Sequence, residues 1–291
     1  KNSDIILKKG EIAIDGDKII LNRIESEIDS KPTFINGDIR NIFTNPKLDI
    51  YISSFPTQQF MDKYINKQMI YPLILKGEMD YYARINGTLD ALRINGTVNM
   101  EKGSSIYYKG AIIDASENPL KLNLDIVTSA FRPELNIKKF QYNKLDENNR
   151  AIPLLNANGI IGIKNAQNLT FNNFKIKTQN PADARIFNII FKKPIIKEGL
   201  FTSDLTLNGN TNSPLCYGTF HIYGVNAPFL DTTIHDINLD FKHKTADVQM
   251  KGDILSNEIS LSANVNNSIN PPYVINNADL YLGNFNVNTF L

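Results

Sequence analysis

A strict period-two alternation of apolar and polar residues is the feature that most constrains this chain. It is clearest in residues 79–86, 120–126, 237–241 and 259–265. Successive side chains of a β-strand point to opposite faces, so this period predicts strands with one apolar and one wet face. Strands of a parallel sheet that is buried on both faces read instead as continuous apolar runs. The pattern therefore predicts an all-β, antiparallel fold.

Two segments depart from the alternation and predict short helices. Residues 56–68 place Phe60, Met61, Tyr64 and Ile65 at helical spacing. Residues 181–192 follow Asn180, a capping residue, and open with a proline, which suits the first helical position. Asn-Gly pairs at 36–37, 86–87, 95–96, 158–159 and 208–209, together with Asp15-Gly16, predict tight turns, because Asn and Gly tolerate positive φ.

An internal repeat organises these elements. The anchors are matched residues that lie 122 positions apart: Pro72 and Pro194, Gly77 and Gly199, Gly87 and Gly209, and Gly96 and Gly218. A predicted helix precedes the anchors in both copies. We expect one β-groove segment over residues 1–291 with repeats at about 48–170 and 171–291, and with 1–47 as the end of a preceding repeat.

Composition argues against several functional classes. The 31 Lys and Arg nearly balance the 30 Asp and Glu, so no basic field favours nucleic acid. No apolar stretch reaches the roughly 18 residues of a membrane span. The sequence opens at Lys1 without a signal-like segment, and we expect a piece of a longer protein whose anchor is missing.

Catalytic motifs are missing from the sequence, which predicts a protein that is not an enzyme and has no cofactor. Cys216 is the only cysteine, so an internal disulfide is excluded. A lone cysteine of this kind is more often a core residue than a nucleophile. His235 and His243 bracket one predicted strand, which separates them by about 27 Å at about 3.4 Å per residue. We therefore expect no metal site.

The apolar strand faces leave two structures open. They would pack together in a closed core, or they would line an open groove for acyl chains, each buried methylene contributing about 0.8 kcal/mol. Periodicity does not distinguish a filled core from an open groove.

The spacing of residues around the repeat resembles the AsmA-like and TamB family of bacterial envelope proteins. The resemblance rests on Leu48-Asp-Ile-Tyr-Ile-Ser, on Gly77, Gly87 and Gly96-Thr-Val, and on Leu205-Thr-Leu-Asn-Gly209 with Pro214 and Gly218. The ending from Asp279 to Leu291 also resembles the close of such a repeat. Leu92 stands where the family usually has proline, and nothing resembles the family's N-terminal membrane anchor.

This resemblance implies an elongated, taco-like β-groove with an apolar interior and short helices. It implies a non-catalytic conduit that moves phospholipid between the inner and outer membranes across the periplasm. The full-length protein would be anchored to the inner membrane, and its partners would be phospholipid acyl chains and an outer-membrane β-barrel protein. The residues expected to line the groove are Ile85, Ile94, Leu122, Leu124, Leu207, Phe220, Ile222, Ile237, Leu239 and Leu261. The alternative function is a structural or adhesive surface β-solenoid with a closed core.

Overall fold

The computed structural model of the chain is all-β with short helical segments. The residues that it describes are 5–69, 71–129, 131, 134–165, 168–190, 194–210, 213–227, 232–254, 257–266 and 274–283. One antiparallel sheet of 17 strands stays open across these residues, and a second sheet has three strands. The predicted antiparallel fold class is confirmed. Residues 284–291 of the family-like ending lie outside the described residues.

The chain divides into two compact units, Lys1–Ile163 (unit 1) and Lys164–Leu291 (unit 2). The division falls within a strand, a few residues before the repeat boundary expected between residues 170 and 171.

Unit 1 contains the three-stranded sheet and the first part of the large sheet. Its strands are β1 (Ile5–Asp15), β2 (Lys18–Ile28), β3 (Lys31–Arg40), β4 (Lys47–Ser54), β5 (Leu73–Lys76), β6 (Met79–Thr88), β7 (Ala91–Met100), β8 (Ser105–Tyr108), β9 (Ala111–Asp114), β10 (Leu120–Thr128), β11 (Glu134–Leu145) and β12 (Ala151–Asn165). Strands β1, β2, β3, β4, β6, β7, β10, β11 and β12 pair in that order. The remaining three strands, β5, β8 and β9, form the small sheet.

Unit 2 continues the same kind of meander. Its strands are β13 (Asn168–Thr178), β14 (Ala182–Asp183), β15 (Glu198–Asn210), β16 (Ser213–Ala227), β17 (Thr232–His243), β18 (Thr245–Ile254), β19 (Asn257–Asn266) and β20 (Ile275–Leu282). Strand β15 pairs with both β13 and the short β14, and each strand from β15 to β20 pairs with the next.

Both predicted helical segments are present. The first runs through an α-turn (Gln58–Phe60), a π-helical turn (Met61–Ile65) and a 3-10 turn (Asn66–Gln68). The Thr57 hydroxyl caps it by accepting the Phe60 N–H at 3.1 Å. The second segment is a 3-10 helix (Ala184–Ile190). Positions 191 and 192 of the predicted segment lie outside the described residues.

The repeat is preserved in the strand register. In the β6–β7 pair, Ala83 lies opposite Gly96, and Gly87 lies opposite Leu92. In the β15–β16 pair, the residues 122 positions later are paired in the same way, with Leu205 opposite Gly218 and Gly209 opposite Pro214. The agreement extends along both ladders, from Met79–Met100 to Thr88–Ala91 and from Phe201–Ile222 to Asn210–Ser213.

The prediction that Asn-Gly pairs mark turns is wrong for all five pairs, each of which lies inside a strand. Two of them support a bulge in the neighbouring strand. The Asn36 side chain accepts the N–H of Arg23 at 3.2 Å, and Asn208 accepts the N–H of Asn173 at 2.8 Å. Arg23 and Asn173 have positive φ and lie where the register shifts. Glycine is needed at position 37 for close approach to β4, because a Cβ there would lie 2.0 Å from the Asp49 carbonyl oxygen. The predicted Asp15-Gly16 turn does connect β1 to β2.

Candidate functional site

The four lining residues predicted in unit 1 lie on one sheet face. Ile85 pairs with Ile94 across β6 and β7, and Ile94 pairs with Ile126 across β7 and β10. Directly paired residues point to the same face, and so do alternate residues of one strand. Leu122 and Leu124 therefore share this face, which we call the apolar face of unit 1.

The six residues predicted in unit 2 share a face in the same way. Two rows of paired side chains cross the strands of this unit. One row runs through Phe220, Leu239 and Val248, and the other through Ile222, Ile237, Met250 and Leu261. Leu207 lies opposite Cys216, six residues along β16 from Ile222. This is the apolar face of unit 2.

Much of the apolar faces remains partly open to solvent. Nine of the ten predicted residues are half-buried, and Ile222 is buried. Exposure is greatest on strands β1 and β20, where Ile14 is 73% exposed and Leu280 is 59% exposed. Large exposed apolar patches mark interaction sites, whereas singly exposed apolar residues are ordinary. A ligand with flexible apolar chains matches the chemistry of the apolar faces.

The opposite face, which we call the polar face, is held by ion pairs and amide networks. Arg84 donates to both carboxylate oxygens of Asp49 at 2.8 and 2.9 Å, and Arg93 does the same to Asp125 at 2.8 and 2.6 Å. The hydrogen bonds from these guanidinium groups lower the pKa of both carboxyl groups. The polar face therefore carries ionised, paired carboxyl groups on the side of the sheet opposite the apolar face.

The first helical segment lies over one end of the apolar face of unit 1 and leaves a hollow beneath it. Phe60, Met61 and Ile65 line this hollow from the segment, and Ile28 and Tyr81 line it from the sheet. Its volume is about 250 Å³. The lining is mainly apolar, so the hollow suits a hydrocarbon chain better than a polar ligand.

The second helical segment fills the corresponding space in unit 2. The Phe187 ring lies 4.7 Å from Phe201 and 5.2 Å from Phe220, measured between centroids in tilted, edge-on arrangements. Phe201 and Phe220 lie 5.8 Å apart, and Phe201 is only 2% exposed. Offset and edge-on ring pairs are favourable, so this cluster anchors the segment to the apolar face.

Two asparagine bridges fix the helical segments, and the sequence reasoning missed them. The Asn66 side chain accepts the N–H of Leu73 at 2.8 Å and donates to its carbonyl oxygen at 3.0 Å. Asn188 accepts the N–H groups of Ile195 and Ile196 at 3.1 and 3.0 Å and donates to Ile196 O at 2.9 Å. The signal was available, because Asn66 and Asn188 also lie 122 positions apart.

The three histidines each have a hydrogen-bonding partner, and the single cysteine is buried. His235 pairs with Asp253 at 2.5 Å, His221 pairs with Asp236 at 2.7 Å, and His243 contacts the Tyr217 hydroxyl. Burial raises the pKa of the Cys216 thiol to about 11, which keeps it protonated at neutral pH. Among the described residues, no group of three or more His, Cys, Asp or Glu side chains is arranged to hold a metal ion.

Comparisons with protein-family models, with curated proteins and with solved structures find no match to this chain. The function must therefore be argued from the geometry of the two faces. Within the described ranges, no helix has the length and apolar character that a membrane span requires.

Proposed function

We propose that this chain is a non-catalytic, lipid-binding conduit segment. Acyl chains lie along the apolar faces, and the lipid headgroups stay in water. The observation that carries the proposal is the continuous, half-exposed row of aliphatic side chains across paired strands, as in Ile85, Ile94 and Ile126. Covering this surface with hydrocarbon at about 0.8 kcal/mol per methylene supplies enough free energy to hold a lipid.

The aliphatic character of the paired rows on the apolar faces suits transport better than tight recognition. A lipid held by area alone can shift by one strand without breaking hydrogen bonds, because paired rows offer equivalent contacts. The resemblance to the AsmA-like and TamB proteins supports phospholipid as the cargo. It also supports a periplasmic location, inner-membrane anchoring of the full-length protein and an outer-membrane β-barrel partner.

Native mass spectrometry of the purified chain expressed in bacteria, with extraction and identification of co-purifying lipid, tests this proposal. We expect bound phospholipid in the wild type and its loss in Leu122→Asp and Leu239→Asp, because each change places a charge on an apolar face. Matched controls are Asn123→Asp, next to Leu122, and Gln249→Asp on the strand that neighbours Leu239. Both controls place a similar charge on the polar face and should retain lipid.

The contrary outcome is also specific. A chain that is folded by circular dichroism, carries no lipid and takes up none from vesicles would overturn the conduit. It would favour the structural or adhesive alternative. Equal lipid loss in the polar-face controls would show that added charge, rather than its position, causes the effect.

A further inference from the structure

Three aromatic rings stand out on the otherwise polar face of unit 1. Phe34, Tyr51 and Tyr82 lie on the adjacent strands β3, β4 and β6, and are 49%, 47% and 53% exposed. Phe34 and Tyr82 are the direct cross-strand neighbours of Ser53, one on each side, and Tyr51 lies two residues from Ser53 on the same strand. The small serine side chain is therefore surrounded by three large rings.

These residues line a hollow of about 450 Å³ together with residues of β2 and β7. Its volume lies within the range of small-molecule sites. Asn36, Arg84, Asn95 and Thr97 add hydrogen-bonding groups to the lining. The lining also includes four apolar residues from positions that alternate with the polar-face residues: Ile24, Ile35, Ile52 and Ala83. The Asn36 side-chain carbonyl oxygen accepts the Arg23 N–H, which fixes the orientation of the amide, and its NH₂ group is a hydrogen-bond donor of the lining.

The Arg84 guanidinium is positioned rather than free. It lies 4.9 Å from the centre of the Tyr51 ring and is held there by its two hydrogen bonds to Asp49. Asp49 balances its charge, and the other two charged lining residues, Arg23 and Glu25, have opposite signs. The hollow therefore offers aromatic faces and hydrogen bonds without a net charge to attract a phosphate or a charged peptide.

The repeat shows that the fold does not require these rings. Ser53 and Tyr82 are directly paired between β4 and β6, and the residues directly paired at the matching place between β13 and β15 are Lys177 and Asp204. In unit 2 these two side chains form an ion pair at 2.5 Å. Unit 1 thus exposes an aromatic cluster at the position where unit 2 has an ordinary surface ion pair.

We propose that this hollow is a binding site for a neutral oligosaccharide built of pyranose rings. Aromatic side chains stack on the C–H face of a pyranose, and amide, guanidinium and hydroxyl groups around them hydrogen-bond its hydroxyls. Rigid tyrosines supply such contact area at little cost in conformational entropy. The aromatic side chains of the site lie on the sheet face opposite the proposed lipid-binding rows, so the two proposals are tested separately.

Isothermal titration calorimetry of the intact chain with chitotetraose and with cellotetraose tests the site. We expect saturable binding of at least one of these saccharides. The double variant S53K/Y82D installs the unit 2 ion pair, and it should weaken binding at least about tenfold, which corresponds to about 1.4 kcal/mol. The control Phe43→Ala removes a ring that is 79% exposed elsewhere in unit 1, and it should bind like the wild type.

Each alternative result overturns the proposal. If the folded wild type binds neither saccharide, the proposal is wrong. It is also wrong if S53K/Y82D binds a saccharide as tightly as the wild type does. A titration in which a proline-rich peptide binds the hollow and the saccharides do not would identify a peptide-docking surface instead. Lipid co-purification should be unaffected by S53K/Y82D, so failure here is distinguishable from failure of the conduit.

Discussion

The two helical segments lie over equivalent strand pairs, but the space between segment and sheet is filled in unit 2 and partly empty in unit 1. In unit 2, Phe187, Phe201 and Phe220 form a ring cluster that fills the space. In unit 1 the residues 122 positions earlier are Ile65, Met79 and Val98, and a hollow of about 250 Å³ remains beneath the segment.

The backbone arrangement that supports both segments is the same. Each has an asparagine bridge to the strand-side residue seven positions later, Leu73 in unit 1 and Ile195 in unit 2. Each precedes a strand pair with the same register. The repeat therefore preserves backbone hydrogen bonding, while the side chains beneath the two segments differ between an aromatic cluster and an open hollow.

The largest expected effect comes from emptying the filled cluster. Phe201→Ala should lower the free energy of unfolding of unit 2 by about 3–5 kcal/mol, because a buried ring leaves a cavity among rigid neighbours. The matched change in unit 1, Met79→Ala, should cost about 2–3 kcal/mol, since methionine fills less volume there. Peptide-resolved hydrogen–deuterium exchange on β15–β16 and β6–β7 measures the two effects separately. Equal losses would show that the two sites are equally packed.

The second largest expected effect is the loss of stability on removing an asparagine bridge. Asn188 is 2% exposed and makes three hydrogen bonds to backbone groups, whereas Asn66 is only half-buried. Asn188→Ala leaves buried backbone groups without partners and should cost about 2–4 kcal/mol. Asn66→Ala should cost about 1–2 kcal/mol, because water can replace part of its bonding. Thermal unfolding together with hydrogen exchange of residues 194–210 and 71–88 checks this order, which a larger loss in Asn66→Ala would contradict.

Much of the fold was predictable because the sequence has two clear periods, a two-residue alternation of apolar and polar residues and a 122-residue repeat. Alternation over residues 79–86 assigns Ile85 to one face and Arg84 to the other, and the 122-residue period aligns the anchors of both copies. The ten predicted lining residues were placed on shared faces by the same alternation. What alternation cannot reveal is the depth of cover over a face, since that depends on a helical segment contributed from outside the strands.

The wrong and missed predictions arose because the structural role of these residues depends on neighbouring strands. Asn-Gly favours positive φ in hairpin turns, but the same freedom serves in-strand positions such as Asn36-Gly37, beside a bulge. The cluster around Ser53 was hidden because Phe34 and Tyr82 come from separate strands, and only the register brings them beside it. The asparagine bridges obey the 122-residue period but carry no local signature of their own.

A smaller effect should distinguish the two matched glycines. Gly218 has φ of +103°, and a Cβ there would lie 1.9 Å from the Asp204 carbonyl oxygen. At Gly96 the nearest contact of a Cβ would be 2.9 Å, to the Tyr82 carbonyl oxygen. We expect Gly218→Ala to destabilise unit 2 by about 1–3 kcal/mol and Gly96→Ala to destabilise unit 1 by less. Urea unfolding followed by tyrosine fluorescence, with exchange data to assign the unit, measures both, and the reverse order would show that β15 and β16 can separate locally.

The smallest effect concerns acid. Arg93 lowers the pKa of Asp125 below its ordinary value of 3.8, chiefly through their paired hydrogen bonds. A carboxyl group whose pKa is lowered by folding stabilises the folded chain above its unfolded pKa, and that contribution is lost as pH falls through the lower, folded value. As pH falls from 7 through that folded pKa, β7 and β10 should therefore lose protection from hydrogen exchange in the wild type, and they should lose less in Arg93→Gln. Because the pair is partly exposed, salt should reduce the difference. Identical pH dependence in both proteins would mean that this ion pair contributes nothing to holding the polar face of unit 1 together.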